Sequence, residues 1–227
     1  MKVFKFGGAS VKDAAGVRNV AKVLSHFPDE DLLIVVSAMG KTTNALEEVV
    51  WAFSEGKEVH DKVEALRRSH SAVLAEVAPN DVAAGAELVL WFDRLNTLLA
   101  QGPTGMIDGD YDQIVSQGEI WSTLIVSAYL NSCGLENKWM DARKVVRTDA
   151  RFRDARVQWD ALEDTCATYI PSFERSPMRL VTQGFIGSTE DGLTTTLGRE
   201  GSDFSAAIFA YAMDLLHGRA RRWRPRD

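Results

Sequence analysis

Apolar positions recur along this chain at two spacings, and the alternation between them predicts strands separated by helical crossovers. Val3 to Phe6 reads as a short apolar strand ending in Gly7-Gly8. Val17, Val20, Ala21, Leu24 and Phe27 then share one helical stripe. Asp31 to Ser37 is a nearly unbroken apolar run, the pattern of a strand covered on both faces. Met39 to Asn44 turns into a further helical stretch, and residues 57 to 132 predict three helices. One of these, near 85–100, carries Leu88, Trp91, Phe92, Leu95 and Leu99. The next begins near Asp110 and carries Ile114, Trp121, Leu124, Ile125 and Ala128. Short strands near 138–141 and 145–148, a helix around 157–173, a strand at 179–186 and a helix from Ser202 to Met213 complete the pattern. The expected fold class is α/β, a three-layer α/β/α sandwich with a mostly parallel central sheet.

Composition narrows the function classes. The 227 residues are 45% apolar and 26% charged. No run approaches the ~20 apolar residues that span a bilayer, and the stretch from Met1 to Phe6 has no secretory signal. Cys133 and Cys166 stand without a C-x-x-C or histidine partner, and are expected to be buried thiols in a reducing, cytoplasmic compartment. The net charge of −6 argues against nucleic acid as a partner over most of the surface. Residues 217–227 differ: five arginines against Asp227 make that tail about +4 and leave about −10 on the rest.

Four segments carry candidate chemistry. Lys5-Phe6-Gly7-Gly8-Ala9-Ser10 puts a cation at a strand end, then two glycines and a hydroxyl. Such a turn suits a phosphate, although a solvated lysine on an ordinary turn reads the same. Gly40-Lys41-Thr42 is not a P-loop, since position 35 is valine where that motif needs glycine. Ser37 to Asn44 is instead a polar turn at a strand's carboxyl end, where Thr43 either caps a helix or offers a hydroxyl to substrate. Glu119 lies on an apolar helix, where a carboxylate requires either a ligand ammonium or a structural arginine. Arg199 and Asp203 sit at i and i+4 around a helix mouth, framed by Gly198 and Gly201. They read either as a helical ion pair or as a carboxylate grip, and the glycine frame favours the grip. No histidine pairs at metal-ligand spacing, and no metal site is expected.

Taken together, KFGGASV (5–11), SAMGKTTN (37–44), SQGE (116–119), VTQGFIG (181–187) and TTTLGREGSDFSAA (194–207) resemble aspartokinase, of the amino acid kinase family. The resemblance implies phosphorylation of the β-carboxylate of L-aspartate by MgATP, the entry to lysine, threonine and methionine synthesis. It implies that Lys5 and Asp203 are catalytic, with Lys5 neutralising the transferring phosphoryl and Asp203 orienting that lysine and the catalytic turn. Lys5, Gly7, Gly8, Ser10, Ser37, Gly201 and Ser202 would hold phosphate. Thr43, Glu119 and Arg199 would hold the amino acid, Glu119 on its ammonium and Arg199 on its α-carboxylate.

Two departures stand against the family pattern. Ala9 replaces a common threonine. After Met213-Asp214 the chain also runs into the arginine-rich tail, where the family continues with a nucleotide-holding strand and regulatory domains. Residues 1–214 are therefore expected to be the amino-acid- and phosphate-binding part of a kinase domain. Residues 215–227 are expected to be an atypical basic tail, either out of frame or the end of a fragment. Two alternatives stay open: a non-catalytic fragment that binds aspartate or a partner subunit, a homo-oligomer among them, and a family kinase acting on N-acetylglutamate. Glu119 speaks against the latter, whose acetylated amine carries no charge.

Overall fold

A computed structural model describes residues 1–170 and 177–216. Four parallel strands form the central sheet in the order β1-β2-β4-β3: β1 Lys2–Phe6, β2 Leu32–Val36, β3 Lys138–Met140 and β4 Arg179–Gln183. All five residues of β2 and all five of β4 are buried, as a strand with helices on both faces must be. Helix α1 (Ala14–Leu24) makes the crossover from β1 to β2, its start fixed by Asp13 accepting the backbone N–H of Gly16. Helices α2 (Thr42–Ser54), α3 (His60–Val77), α4 (Val82–Ala100), α5 (Ile107–Val115) and α6 (Gln117–Ser132) follow β2. Helix α6 lies against β2, β3 and β4; α7 (Trp159–Tyr169) and α8 (Gly201–Leu216) pack together, with α8 against β1 and β2. The fold is the expected three-layer α/β sandwich.

Three elements differ from the pattern reading. The helix expected from Asp110 is two, α5 and α6, broken at Ser116. Gly118 at the start of α6 presses against the turn after β2, where an added Cβ would lie 2.9 Å from the Cβ of Ala38. The periodicity runs through because both helices bury most of their residues. The segment 145–148 is no strand: its β pairing is confined to isolated bridges, Arg147 to Ser188 and Thr148 to Val157. The strand expected at 179–186 ends at Gln183, and β5 (Ile186–Ser188) pairs antiparallel with β6 (Thr194–Thr196) in a small second sheet.

Register decides where ligands can gather. Phe6, Val36 and Gln183 are direct partners across β1, β2 and β4. The segments that follow them, Gly7-Gly8, Ser37 to Gly40 and Gly184-Phe185, therefore emerge side by side at the carboxyl edge of the sheet. In open α/β folds this edge is the ligand-binding side. Residues 217–227 of the basic tail, and 171–173 of the expected helix at 157–173, lie outside the described residues.

Candidate active site

A cleft of about 480 Å³ opens at this edge. Of the residues singled out above, Lys5, Gly7, Gly8, Ser37, Thr43, Glu119, Arg199, Gly201, Ser202 and Asp203 line it. Ser10 does not: it is exposed in a 3-10 turn, its backbone N–H bonded to the carbonyl of Gly7 at 2.8 Å.

Lys5 and Asp203 meet across the cleft. The Nζ of Lys5 lies 3.1 Å from Oδ1 and 3.2 Å from Oδ2 of Asp203. Asp203 thus turns to the strand lysine rather than closing an i, i+4 pair with Arg199. Arg199 stands just before α8, between Gly198 and Glu200, both in the left-handed region at φ 74° and 57°. Glycine is needed at 201 for a packing reason: a Cβ there would fall 2.6 Å from Cδ2 of Phe185. The glycine frame of Arg199 therefore answers to protein contacts as well as to any ligand. Similarly, a Cβ on Gly8 would meet the carbonyl oxygen of Ala38 at 2.6 Å, which locks the first glycine turn onto the second.

Glu119 is the least compensated group in the cleft. It is 3% exposed, in the first turn of α6. Its Oε1 accepts the backbone N–H of Ala38 at 3.2 Å, while Oε2 has no partner among the described residues. Burial pushes its carboxyl up to about 8, and the bond from Ala38 offsets this only in part. The arginine that would have made Glu119 a structural ion pair is absent among the described residues. Thr43 lies inside α2, whose N-cap is Lys41, so it does not cap the helix, and it is among the residues that line the cleft.

The pattern reading missed Tyr111, Arg153, Phe185 and Thr196, which also line the cleft. Asp112, fully buried, organises this wall. It accepts the backbone N–H of Arg153 at 3.0 Å and both the N–H and the hydroxyl of Thr196, at 2.8 and 2.7 Å. Burial raises its carboxyl to about 6 in spite of these donors. Among the described residues, three non-glycines have positive φ, Arg153, Phe185 and Glu200, and all line this cleft. Backbone strain concentrated in one place marks a site held in shape by its surroundings. The only sequence signal for this wall was the run of threonines 194–196, polar residues that look like a loop until they are seen buried and paired.

Comparison with known proteins agrees with this geometry. The family model described as amino acid kinase family matches residues 1–215. The chain is 34% identical over 214 residues to lysine-sensitive aspartokinase 3 of Escherichia coli, covering 93% of this chain and 46% of that protein. It is 32% identical over 211 residues to the bifunctional aspartokinase/homoserine dehydrogenase 2 of E. coli, covering 90% of this chain and 25% of the relative. It therefore spans less than half the length of these curated relatives. The solved structure of E. coli aspartokinase III in complex with aspartate and ADP superposes with a TM-score of 0.82 at 33% identity, over 94% of this chain and 47% of that one. With the family model spanning nearly the whole chain, and the sheet, the cleft and its lining arranged as described, the chain belongs to the amino acid kinase family.

Proposed function

We propose that residues 1–214 form the amino-acid- and phosphate-binding part of an aspartate kinase. The reaction transfers the γ-phosphoryl group of MgATP to the β-carboxylate of L-aspartate, yielding 4-phospho-L-aspartate and ADP for lysine and threonine synthesis. The observation that carries this reading is Glu119: a buried carboxylate with an unpartnered oxygen, lining the same cleft as Arg199 and Lys5. A substrate ammonium supplies the cation that the protein does not. Arg199 takes the α-carboxylate through its planar donor fork, and Thr43 offers a hydroxyl.

This orientation leaves the β-carboxylate for the Lys5 side of the cleft. Lys5 neutralises the transferring phosphoryl group, and Asp203 holds its ammonium in place. Gly7, Gly8, Ser37, Gly201 and Ser202 receive phosphate oxygens. The N-terminus of α8 adds a favourable dipole. Ser10, outside the cleft lining, is left out of this assignment. Magnesium bound with the nucleotide would supply further positive charge at its phosphates, beside that of Lys5. No covalent nucleophile is required, because phosphoryl transfer rests on positioning and charge stabilisation. A cytoplasmic setting is in keeping with two unpaired thiols, Cys133 and the buried Cys166.

Titration calorimetry with L-aspartate and with MgATP tests the reading. Binding of both, with Glu119→Gln abolishing the aspartate signal, is the expected result. No aspartate binding at millimolar concentration would overturn it, and aspartate binding without MgATP binding would favour a non-catalytic binding fragment.

A further inference from the structure

We infer that Arg153 is a second guanidinium for the α-carboxylate of the amino acid, completing a two-arginine clamp with Arg199; this rests on the aspartate-binding reading above. Arg153 lines the same cleft as Arg199 and Glu119. It reaches there on a loop seated directly against the Arg199 loop. A Cβ on Gly198 would lie 3.0 Å from Oδ1 of Asp154 and 3.2 Å from the carbonyl of Arg153. The N–H of Ala155 also donates to the carbonyl of Thr196 at 3.0 Å. The two arginines thus stand on neighbouring backbones that cannot separate without breaking a shared support. That support is Asp112, which holds Arg153 and Thr196 with one buried carboxylate.

Local conformation argues that the position serves a ligand. Arg153 has φ 66°, in the left-handed region where glycine is at ease and a long side chain is strained. That strain is offset by what the side chain touches: the rings of Tyr111 and Trp51, the Asp108 carboxylate, and the cleft itself. Its guanidinium lies 4.4 Å from the ring centroid of Tyr111, another cleft residue, which is itself held by a 2.7 Å bond from its hydroxyl to Glu47. The contact holds the guanidinium over the Tyr111 ring, within the cleft where it can donate to a planar carboxylate. One Nη1 reaches Asp108 at 3.2 Å, but both side chains of that pair are largely exposed, at 42% and 62%, so the contact is weak. An arginine has five donors, and this bond takes one.

The amino acid's own chemistry separates this role from others. L-Asparagine retains the α-carboxylate and loses the β-carboxylate; the α-amide of L-aspartate does the reverse. Calorimetric titration of all three into the parent and into Arg153→Gly gives the test. Glycine suits φ 66°, so this variant keeps the backbone while removing the side chain, and the guanidinium with it. A melting temperature equal to or above that of the parent verifies that it is folded. The expected result is about a tenfold rise in Kd for L-aspartate and L-asparagine, about the loss of one ionic contact, with the α-amide unchanged. Unchanged L-aspartate affinity in the variant would overturn the inference alone, as would an equal loss for all three ligands. If the parent binds no aspartate, the aspartate-binding reading itself falls and this one with it.

Discussion

The ammonium of Lys5 and the carboxylate of Asp203, 198 positions apart in the chain, stand 3.1 Å apart at the rim of the cleft. The pair joins the tip of β1 to the first turn of α8 and so ties together two glycine turns from opposite ends of the sequence. Asp203 is 65% exposed and Lys5 27%, so the contact contributes little to folding. Its value is positional.

Replacing Lys5 by Ala is therefore expected to separate stability from ligand binding. The melting temperature should move by no more than about 3 °C, as an exposed pair worth ~1 kcal/mol or less predicts for a chain this long. Affinity for MgATP should drop at least about tenfold. Thermal melting and nucleotide titration on the same preparation check both halves.

Glu119 should make the protein's stability depend on pH with a definite sign. Its carboxyl sits near 8 in the folded chain, against 4.5 as its ordinary value. Between these values the folded state keeps a proton that the unfolded state has released, so stability declines as pH rises from about 4.5 to about 8. Glu119→Gln removes the effect. It should melt roughly 10 °C above the parent at pH 8 and alongside it at pH 4.5.

The same group should expel a proton when aspartate binds near pH 7, because a substrate ammonium restores the charged carboxylate. Titration in phosphate and in Tris, whose ionisation enthalpies differ widely, should give apparent binding enthalpies that differ accordingly. Identical enthalpies in the two buffers would remove Glu119 as the ammonium's partner.

Asp112 holds two loops with one carboxylate, and Asp112→Ala leaves the two buried donors of Thr196, and the N–H of Arg153, without their acceptor. A loss of about 3 kcal/mol is expected from urea unfolding. Aspartate affinity should weaken as well, since Arg153 and the Arg199 loop share that support.

Two glycines make an opposed pair. In Gly8→Ala the new Cβ would stand 2.6 Å from the backbone oxygen of Ala38, which has no rotamer by which to withdraw, so a loss of about 2 kcal/mol is expected. In Gly85→Ala, inside α4, a Cβ would meet nothing within 4 Å. That change should stabilise by about 0.5–1 kcal/mol, through the entropy glycine adds to the unfolded chain. Chemical denaturation of the two variants beside the parent measures both.

Most of the fold can be read along the chain because its elements are periodic and deeply buried. The run 32–36 announces a central strand because both of its faces meet helices, which removes any call for polar alternation. The break at Ser116 could not be read, since α5 and α6 bury most of their residues and leave no polar stripe to interrupt. Thr194–Thr196 hid a strand for the converse reason. Three polar residues look like a turn until Arg143, Thr148 and Asp112, from other parts of the chain, satisfy their hydroxyls.

The candidate site divides along the same line. Lys5, Glu119 and Arg199 stand out because each is a charge set among glycines or apolar neighbours, an oddity visible within a few positions. Arg153, Tyr111 and Asp112 carry no such mark, for each looks like an ordinary polar residue of a loop or helix. Short-range spacing is enough to specify helices and strands, because their periods are built into the backbone. Which charges share a cleft depends on packing across gaps of 41 to 198 residues, as Arg153 with Asp112 and Lys5 with Asp203 illustrate, and only the folded chain settles that.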